Sequence, residues 1–541
     1  MKMKKAIPVL LASVITASAG AQTVSDALRF GENNYYGTAR SIAMGNAFTA
    51  LGGDLGSINI NPAGSAVNNF SQVTLTPNLS IISSSANYNA APSQSDIYGS
   101  TTSNSELRFT VPNVAFTLNY KTGSKRGLKN ITFGVVANAT ANYLDNMSAG
   151  GRNVATTYAG ALAAQMAGAQ SSLLNGEDAY YSNYPWTQVV GWQSGIVSNY
   201  GANDTDYIGV TEKLIDNGDG TQTIQLADAI DQMYGRKAHG NKYDIVVNLG
   251  LNFSDRFYAG ANIGIVSIDY KRNEYFKEYA VNPDNFFIDY GEGKSTYFND
   301  LRYRYAYDMQ SAGLYAKFGF IAVPVNGLRI GAAIQTPTAN FITEHWQHAG
   351  ETSYSDSRYN SSATSPKGDY KYKFVSPYRF NLGVAYTIGS YGLISADYEY
   401  CDYSTMKFKE TETNDNSVFD NGVNLDIKDF AGPAHALRLG VEVKPTPMLA
   451  VRAGYNFLTS AERYFDEYEH KVTPKAYRHS FSAGVGYSSD GAFFCDLAVR
   501  GTKYPYEYAY PYDTYIDGEL SPEIRNSRKL WDVAFTIGWR F

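Results

Sequence analysis

The chain predicts an all-β protein: a transmembrane antiparallel β-barrel of about fourteen strands, its lumen plugged by a short N-terminal hatch. Three observations carry that expectation. Apolar and polar residues alternate in short segments from residue 73 to the C-terminus, as in strands with one greasy face. The connections between those segments are alternately short and long. The long apolar run is confined to the N-terminus, so no helical membrane span competes.

Composition agrees. Tyr 45, Phe 27 and Gly 49 are high while charged residues are 18%, which suits strands with wet and greasy faces. A net charge of −6 without a basic block leaves no electrostatic footprint for nucleic acid. Cys401 and Cys495 lie far apart, in no metal or redox spacing, and read as unpaired wall residues.

In chain order, Met1–Ala21 reads as a secretory signal peptide. Lys2, Lys4 and Lys5 precede the apolar Ala6–Ala17, and Ala19-Gly20-Ala21 fits the cleavage rule, giving a mature start at Gln22. No cysteine follows, so a lipoprotein is not expected. Residues 22–70 form the expected hatch. Within them Ala39–Ala66 interleaves small residues with a few large apolar ones, and Pro62 ends any regular structure running through Asn61. So short a segment could hardly bury a core of its own and needs an enclosure.

Residues 71–541 then form the barrel. Alternation marks Val73–Ile81, Ile131–Ala139, Tyr243–Phe253, Phe257–Ile265, Leu314–Ala322, Leu328–Ile334 and Phe380–Ile388. It continues through Ile394–Tyr400, Leu437–Val443, Leu449–Phe457, Tyr477–Tyr487 and Phe493–Val499. In Leu107–Tyr120 the apolar parity changes around Pro112, which reads as a bulge. The last strand puts Trp531, Val533, Phe535, Ile537, Trp539 and Phe541 on one face. Short connections such as Asn252–Arg256 and Lys444–Met448 alternate with long ones such as Lys271–Leu301, Ile342–Tyr370 and Lys503–Arg528. Short periplasmic turns opposite long extracellular loops are a barrel pattern, which a β-sandwich has no reason to show. An even strand count leaves both termini periplasmic, so the hatch enters from below. It also makes Leu144–Gly240 a large extracellular insertion, read as a cap with an Ala-rich helix at Ala155–Leu174 and the aromatic cluster Tyr180, Tyr181, Tyr184 and Trp186.

Parity turns Arg438, Arg452, Arg478, Arg500 and Arg540 into the lumen. Arg478 and Arg500, on neighbouring strands, are expected to meet near the extracellular end and to recognise a carboxylate or phosphate. The competing reading is a lumen salt-bridge network with Glu442, Asp496, Asp397 and Glu399, since buried charges are usually paired. His345 and His348 could share a helical face and bind haem iron, though a solvated loop is the blander reading. Asp204–Asp206 and Asp216–Gly220 lack the remainder of a calcium loop and read as turns. No nucleophile–base arrangement, phosphate loop or metal motif is visible, so neither an enzyme nor a cofactor is expected.

The hatch resembles that of the FadL/TodX family, outer-membrane channels for long-chain fatty acids and other hydrophobic compounds. The matching residues are the small-residue run Arg40–Ala50, Asp54, and Asn61-Pro62-Ala63 followed by Gly64. The resemblance implies a Gram-negative-type outer membrane and passive uptake of a hydrophobic small molecule. It also implies capture among extracellular loops, a hatch shift, and lateral exit where the third strand kinks inward. Here that strand is Ile131–Tyr143, whose Gly134, Asn138, Ala139 and Asn142 are compatible with a kink. Loop aromatics Phe286, Phe287 and Tyr290 are candidate substrate contacts. Expected partners are outer-membrane lipid and lipopolysaccharide, and the insertion machinery acting on the strand that ends at Phe541. Two other functions stand beside uptake: haem binding or uptake, and a general porin or structural surface protein.

Overall fold

Alternation by twos closes the chain on itself. In the computed structural model, described over residues 22–89, 99–201, 203–413, 415–489, 492–512 and 521–541, fourteen antiparallel strands form a closed barrel. The expected leader Met1–Ala21 lies outside the described residues. The strands are β1 Gln72–Asn89, β2 Gly99–Lys121 and β3 Leu128–Asn142, the last resumed as Asp145–Val154. Next come β4 Ile230–Phe253, β5 Phe257–Ala280 and β6 Lys294–Val325. β7 is Leu328–Gln335 continued as Ala339–Tyr354, β8 is Gly368–Val375 continued as Arg379–Ile388, and β9 is Gly392–Asp402 continued as Lys407–Glu410. The wall ends with β10 Pro433–Val443, β11 Leu449–Leu458, β12 Arg478–Ser488, β13 Phe493–Lys503 and β14 Glu523–Arg540. β14 pairs with β1 from Gln72↔Arg540 to Asn89↔Glu523, which removes both sheet edges.

Side-chain parity follows the sequence. In β14, Trp531, Phe535, Ile537 and Trp539 are exposed on the lipid side, while Asp532, Ala534 and Thr536 are buried in the lumen. Around Pro112, two residues of β2 oppose one of β1, because Thr76 pairs Asn113 and Asn78 pairs Thr110. That bulge is where the apolar parity switches.

Above the lipid belt the strands outrun their alternation. β5 and β6 form a hairpin reaching Ala280 and Lys294, and Ile342–Tyr354, expected as a loop, is strand. Outside the membrane neither face needs to be uniformly apolar, so backbone pairing persists while the hydropathy signal fades. Likewise Asp145–Val154 and Ile230–Gly240 pair with each other as wall, leaving 155–229 as the inserted cap. Helix α3 of the cap, Tyr158–Met166, covers part of the expected Ala155–Leu174 helix, with a 3₁₀ turn at Ser171–Leu174.

The hatch fills the lower lumen. Helix α1, Val24–Gly31, is capped by Thr23 and stands high in the barrel; helix α2, Ala39–Ala43, and a 3₁₀ segment Pro62–Val67 form the lower body. The wall meets that body with glycine. Gly250, Gly260 and Gly319 are cross-strand neighbours on β4, β5 and β6, and Gly440 pairs with Gly454 on β10 and β11. A Cβ at Gly319 would stand 2.1 Å from Asn61 Oδ1, at Gly260 2.4 Å from the Pro62 carbonyl carbon, and at Gly454 2.1 Å from the Gly45 amide. Gly45 itself has φ +62° and could not carry a side chain against the facing carbonyls without strain. Hatch backbone thus lies directly on wall backbone. Gly319→Val and Gly260→Val are each expected to cost about 1–3 kcal/mol by overpacking, read as a lower temperature for loss of the heat-modifiable folded band. Unchanged stability in both variants would contradict this seating.

Candidate functional site

Local sequence fixes the hatch motif. Asn61 caps the Pro62–Val67 turn through Oδ1, which accepts from the Ala63 amide at 3.1 Å. Its Nδ2 donates to the carbonyls of Thr49 at 2.6 Å and Phe320 at 3.0 Å, joining two hatch segments to β6. The Pro62 carbonyl accepts from Asn248 of β4 at 3.0 Å. Asp54 accepts from the Gly56 amide at 2.8 Å and the Thr38 hydroxyl at 2.7 Å, closing the hatch's two halves. Burial raises the Asp54 carboxyl above its ordinary range, against the pull of the Arg40 guanidinium and those donors. Gly64 packs against Gly52, where a Cβ would leave 3.2 Å. The motif residues therefore build and seat the hatch.

The inward arginines join the same task. Glu442 accepts from Arg40 of the hatch at 2.9 Å and from Arg452 at 2.6 Å, and Arg452 reaches Asp496 at 2.5 Å. Glu399 holds Arg379 at 3.0 Å and Arg438 at 2.6 Å. Asp397 accepts from the Thr49 amide at 2.7 Å. Arg500 does not meet Arg478: it lies opposite Ser482, four positions along β12 from Arg478. Arg500 pairs with Asp532 at 2.8 Å, donates to the Tyr35 carbonyl at 3.0 Å and stacks on Tyr36. Counting outward from an estimated turn placed it too high. Arg478 instead pairs with Glu32 of the hatch and lines a cavity.

That cavity, about 280 Å³, lies between α1 and the upper parts of β10 to β14. Leu28, Leu458, Ala461 and Tyr506 give it an apolar side; Arg29, Glu32, Arg478, Glu507 and Arg528 give it an ionic one. A second cavity, about 130 Å³, shares those five ionic residues and Tyr504, and extends to Ala141, Asn142, Tyr143 and Asp145. Arg528 is the least committed cation: it stands 3.9 Å from Asp145 and stacks on Tyr504. Tyr504, Tyr506 and Arg528 escaped the sequence reading because they lie in a stretch read as an ordinary long loop. Phe286, in the β5–β6 connection, is buried against Phe298, whereas Phe287 and Tyr290 are exposed on an outer hairpin, so none of the three lines either cavity.

The second cavity ends beside a window in the backbone ladder, the stretch over which β3 is not paired with β2. β3 pairs with β2 from Lys121↔Asn130 up to Asn113↔Asn138, and the next pairing is Ser100↔Gly150. Between them β3 turns inward: Asn142 donates to the Ser80 hydroxyl at 3.0 Å, and the Ser84 hydroxyl donates to the Asn146 carbonyl, both serines facing the lumen. The register with β4 slips between Ala139 and Ala141. This turns the carbonyls of Ala139 and Thr140 toward the hatch, where the Tyr36 and Asn34 amides donate to them at 3.0 and 2.6 Å. Where β3 has parted from β2 while staying paired with β4, side chains link β2 to β4. Tyr243 donates to the Val111 carbonyl at 3.3 Å, and Lys237 pairs with Glu106 at 3.0 Å. Leu107 and Phe109 beside this window are each 62% exposed on the lipid side.

The histidines do not form a ligand pair. They lie three positions apart on strand β7, hence on opposite faces, and His348 Nδ1 is 2.6 Å from the Tyr303 hydroxyl. Among the described residues no group of three or more His, Cys, Asp or Glu could hold a metal ion. The Asp216–Gly220 stretch is a turn, with Asp216 accepting from the Gly218 amide at 2.8 Å.

A closed barrel with a lipid-facing apolar belt and an internal hatch belongs to the outer membrane of a Gram-negative-type cell. Its architecture is that of the FadL/TodX channels. The P. putida toluene transporter TodX superposes with a TM-score of 0.52 at 12% identity, over 94% of this chain and 99% of that one. A Pseudomonas aeruginosa FadL homologue gives 0.51 at 11% identity, over 94% and 99%. At such identities the likeness is one of fold. No protein-family profile and no characterised sequence matches the chain.

Glu442→Gln removes the carboxylate shared by Arg40 and Arg452. The loss is expected to cost about 3–5 kcal/mol and to appear in planar bilayers as a leak that the wild type lacks. A variant as tight and as stable as wild type would show that this pair does not hold the hatch.

Proposed function

We propose that this protein mediates passive uptake of hydrophobic or amphipathic compounds, such as long-chain fatty acids, with lateral release into the outer membrane. The carrying observation is the continuity of the ionic-and-apolar cavity, through Ala141–Tyr143, with the break in β3 at Tyr143–Leu144. An acyl chain leaving through the window enters lipid without crossing water. Exposure would cost about 0.8 kcal/mol per methylene, on the order of 10 kcal/mol for a long chain. The mixed lining favours a molecule with a polar or anionic head, placed at Arg528 and Arg478, over a plain hydrocarbon. The hatch shift implied by the resemblance falls, on this reading, on α1 and residues 32–36, which border the cavity and bond to β3, while the glycine-seated body stays in place.

Two experiments test this. Cysteines at Glu106 and Lys237, joined by a short bis-maleimide in a Cys495→Ser background, would clamp β2 to β4 across the window. Uptake of labelled oleate into cells should then fall to the level of a deletion strain, and the unlinked double variant should transport. Full uptake through the clamped window would remove the lateral route. Arg478→Gln with Arg528→Gln should weaken oleate binding about tenfold or more while leaving oleyl alcohol binding within about twofold, the difference expected of a lost charge-assisted hydrogen bond. Equal losses for acid and alcohol would mean the arginines shape the cavity without reading the head group.

A further inference from the structure

We infer that the lipid-facing side of β8 and β9 carries a binding site for a phosphorylated lipid headgroup of the outer leaflet. The upper segment of β8, Gly368–Val375, pairs with the β9 extension Lys407–Glu410 in the register Lys373↔Lys409 and Val375↔Lys407. Tyr372, Phe374 and Phe408 turn inward and are buried. The alternate positions Lys371, Lys373, Lys407 and Lys409 therefore share the outer face, three of them exposed and Lys373 half-buried. Two ammonium groups directly opposite each other across an antiparallel pair repel. Among the described residues none of the four lysines has an ion pair or a side-chain hydrogen bond, and the Asp420 carboxylate acts on Lys407 only from beyond contact distance. Asp369 shares the face two positions beyond Lys371, and Glu410 points to the opposite face, accepting from the Tyr370 hydroxyl.

Height on the barrel decides what kind of anion fits. Lys373 Nζ stands 5.2 Å over the Phe341 ring, and Phe341, Tyr378 and Phe380 are exposed on the lipid side of β7 and β8. The lysines thus crown the apolar belt on its extracellular edge, with their stems on aromatic surface and their charges at headgroup level. A ligand that both covers those rings and neutralises the lysines needs acyl chains below and phosphate above. That is the chemistry of a phosphorylated glycolipid. The inference goes beyond the transport reading: it depends on the orientation of the barrel and on none of the cavity residues.

Native mass spectrometry of the detergent-solubilised protein tests it, with bis-phosphorylated lipid A, its dephosphorylated form, and inorganic phosphate as probes. Wild type and a periplasmic-turn control, K121Q/K125Q/R126Q, should retain lipid A. The K371Q/K373Q/K407Q/K409Q variant should retain at least about tenfold less, given the attraction each lysine contributes near an anionic headgroup. Dephosphorylated lipid A should bind wild type weakly, and millimolar phosphate should not displace lipid A. Equal retention by the quadruple variant, or equal binding of the dephosphorylated lipid, would overturn the inference; displacement by phosphate alone would make this a free-anion site and overturn it too. Folding is checked by heat-modifiable mobility, and K373Q/K409Q, with an intermediate loss expected, replaces the quadruple variant if that fails to fold.

Discussion

Hatch backbone lies directly on wall backbone, and the chemistry of the lumen follows from that contact. A barrel of this size cannot fill its lumen with its own side chains, and an open lumen would leak. Glycines on β4, β5, β6, β10 and β11 let the hatch lie against the strands themselves. Polar groups left facing each other at so close a range have to be paired, because burial removes water as an alternative partner. Hence the amides of Asn61, Asn248 and Asn262 reach backbone carbonyls across the seam, and the arginine–carboxylate ladder is buried. The seated hatch in turn supplies the Asn34 and Tyr36 amides that satisfy β3 where it parts from β2.

Opening a wall strand normally exposes unpaired backbone to lipid, which the hydrocarbon does not tolerate. Here the problem is contained in two ways. The displaced part of β3 finds donors and acceptors inside, from the hatch and from Ser80 and Ser84. The gap between β2 and β3 is spanned by Tyr243 and by the Lys237–Glu106 pair, side-chain contacts in place of a backbone ladder. Cavity, kink and window are consequences of one displacement, and on the proposed route the charged lining of the cavity would select what uses the window.

Much of this was legible in the sequence, for identifiable reasons. In β14 every second residue from Trp531 to Trp539 is apolar, because lipid on one side and hatch on the other impose a period of two. The parity switch at Pro112 marked a bulge for the same reason. The small-residue run and Asn61-Pro62-Ala63 stood out because close backbone approach excludes larger residues. The signal failed where that two-sided constraint ends. The extracellular parts of β6 and β7 carry no alternation, so His345 and His348 looked like loop residues able to share a helical face. The sequence brings Arg478 and Arg500 together and the structure does not, because a few residues of uncertainty in a turn become several positions of register along the strands. Tyr504, Tyr506 and Arg528 are brought to the cavity by the closing of the barrel, a long-range contact that local pattern does not encode.

On the proposed route substrate passes from the ionic cavity to the β3 break without crossing the hatch body. A crystal structure with a fatty acid brominated at its methyl end tests this most directly, because anomalous scattering marks the bromine independently of the chain. The carboxylate is expected beside Arg478 and Arg528, and the bromine at Ala139–Tyr143 or in the window flanked by Leu107 and Phe109. A bromine signal between α2 and the Pro62–Val67 turn, on the way to the periplasmic mouth, would contradict it.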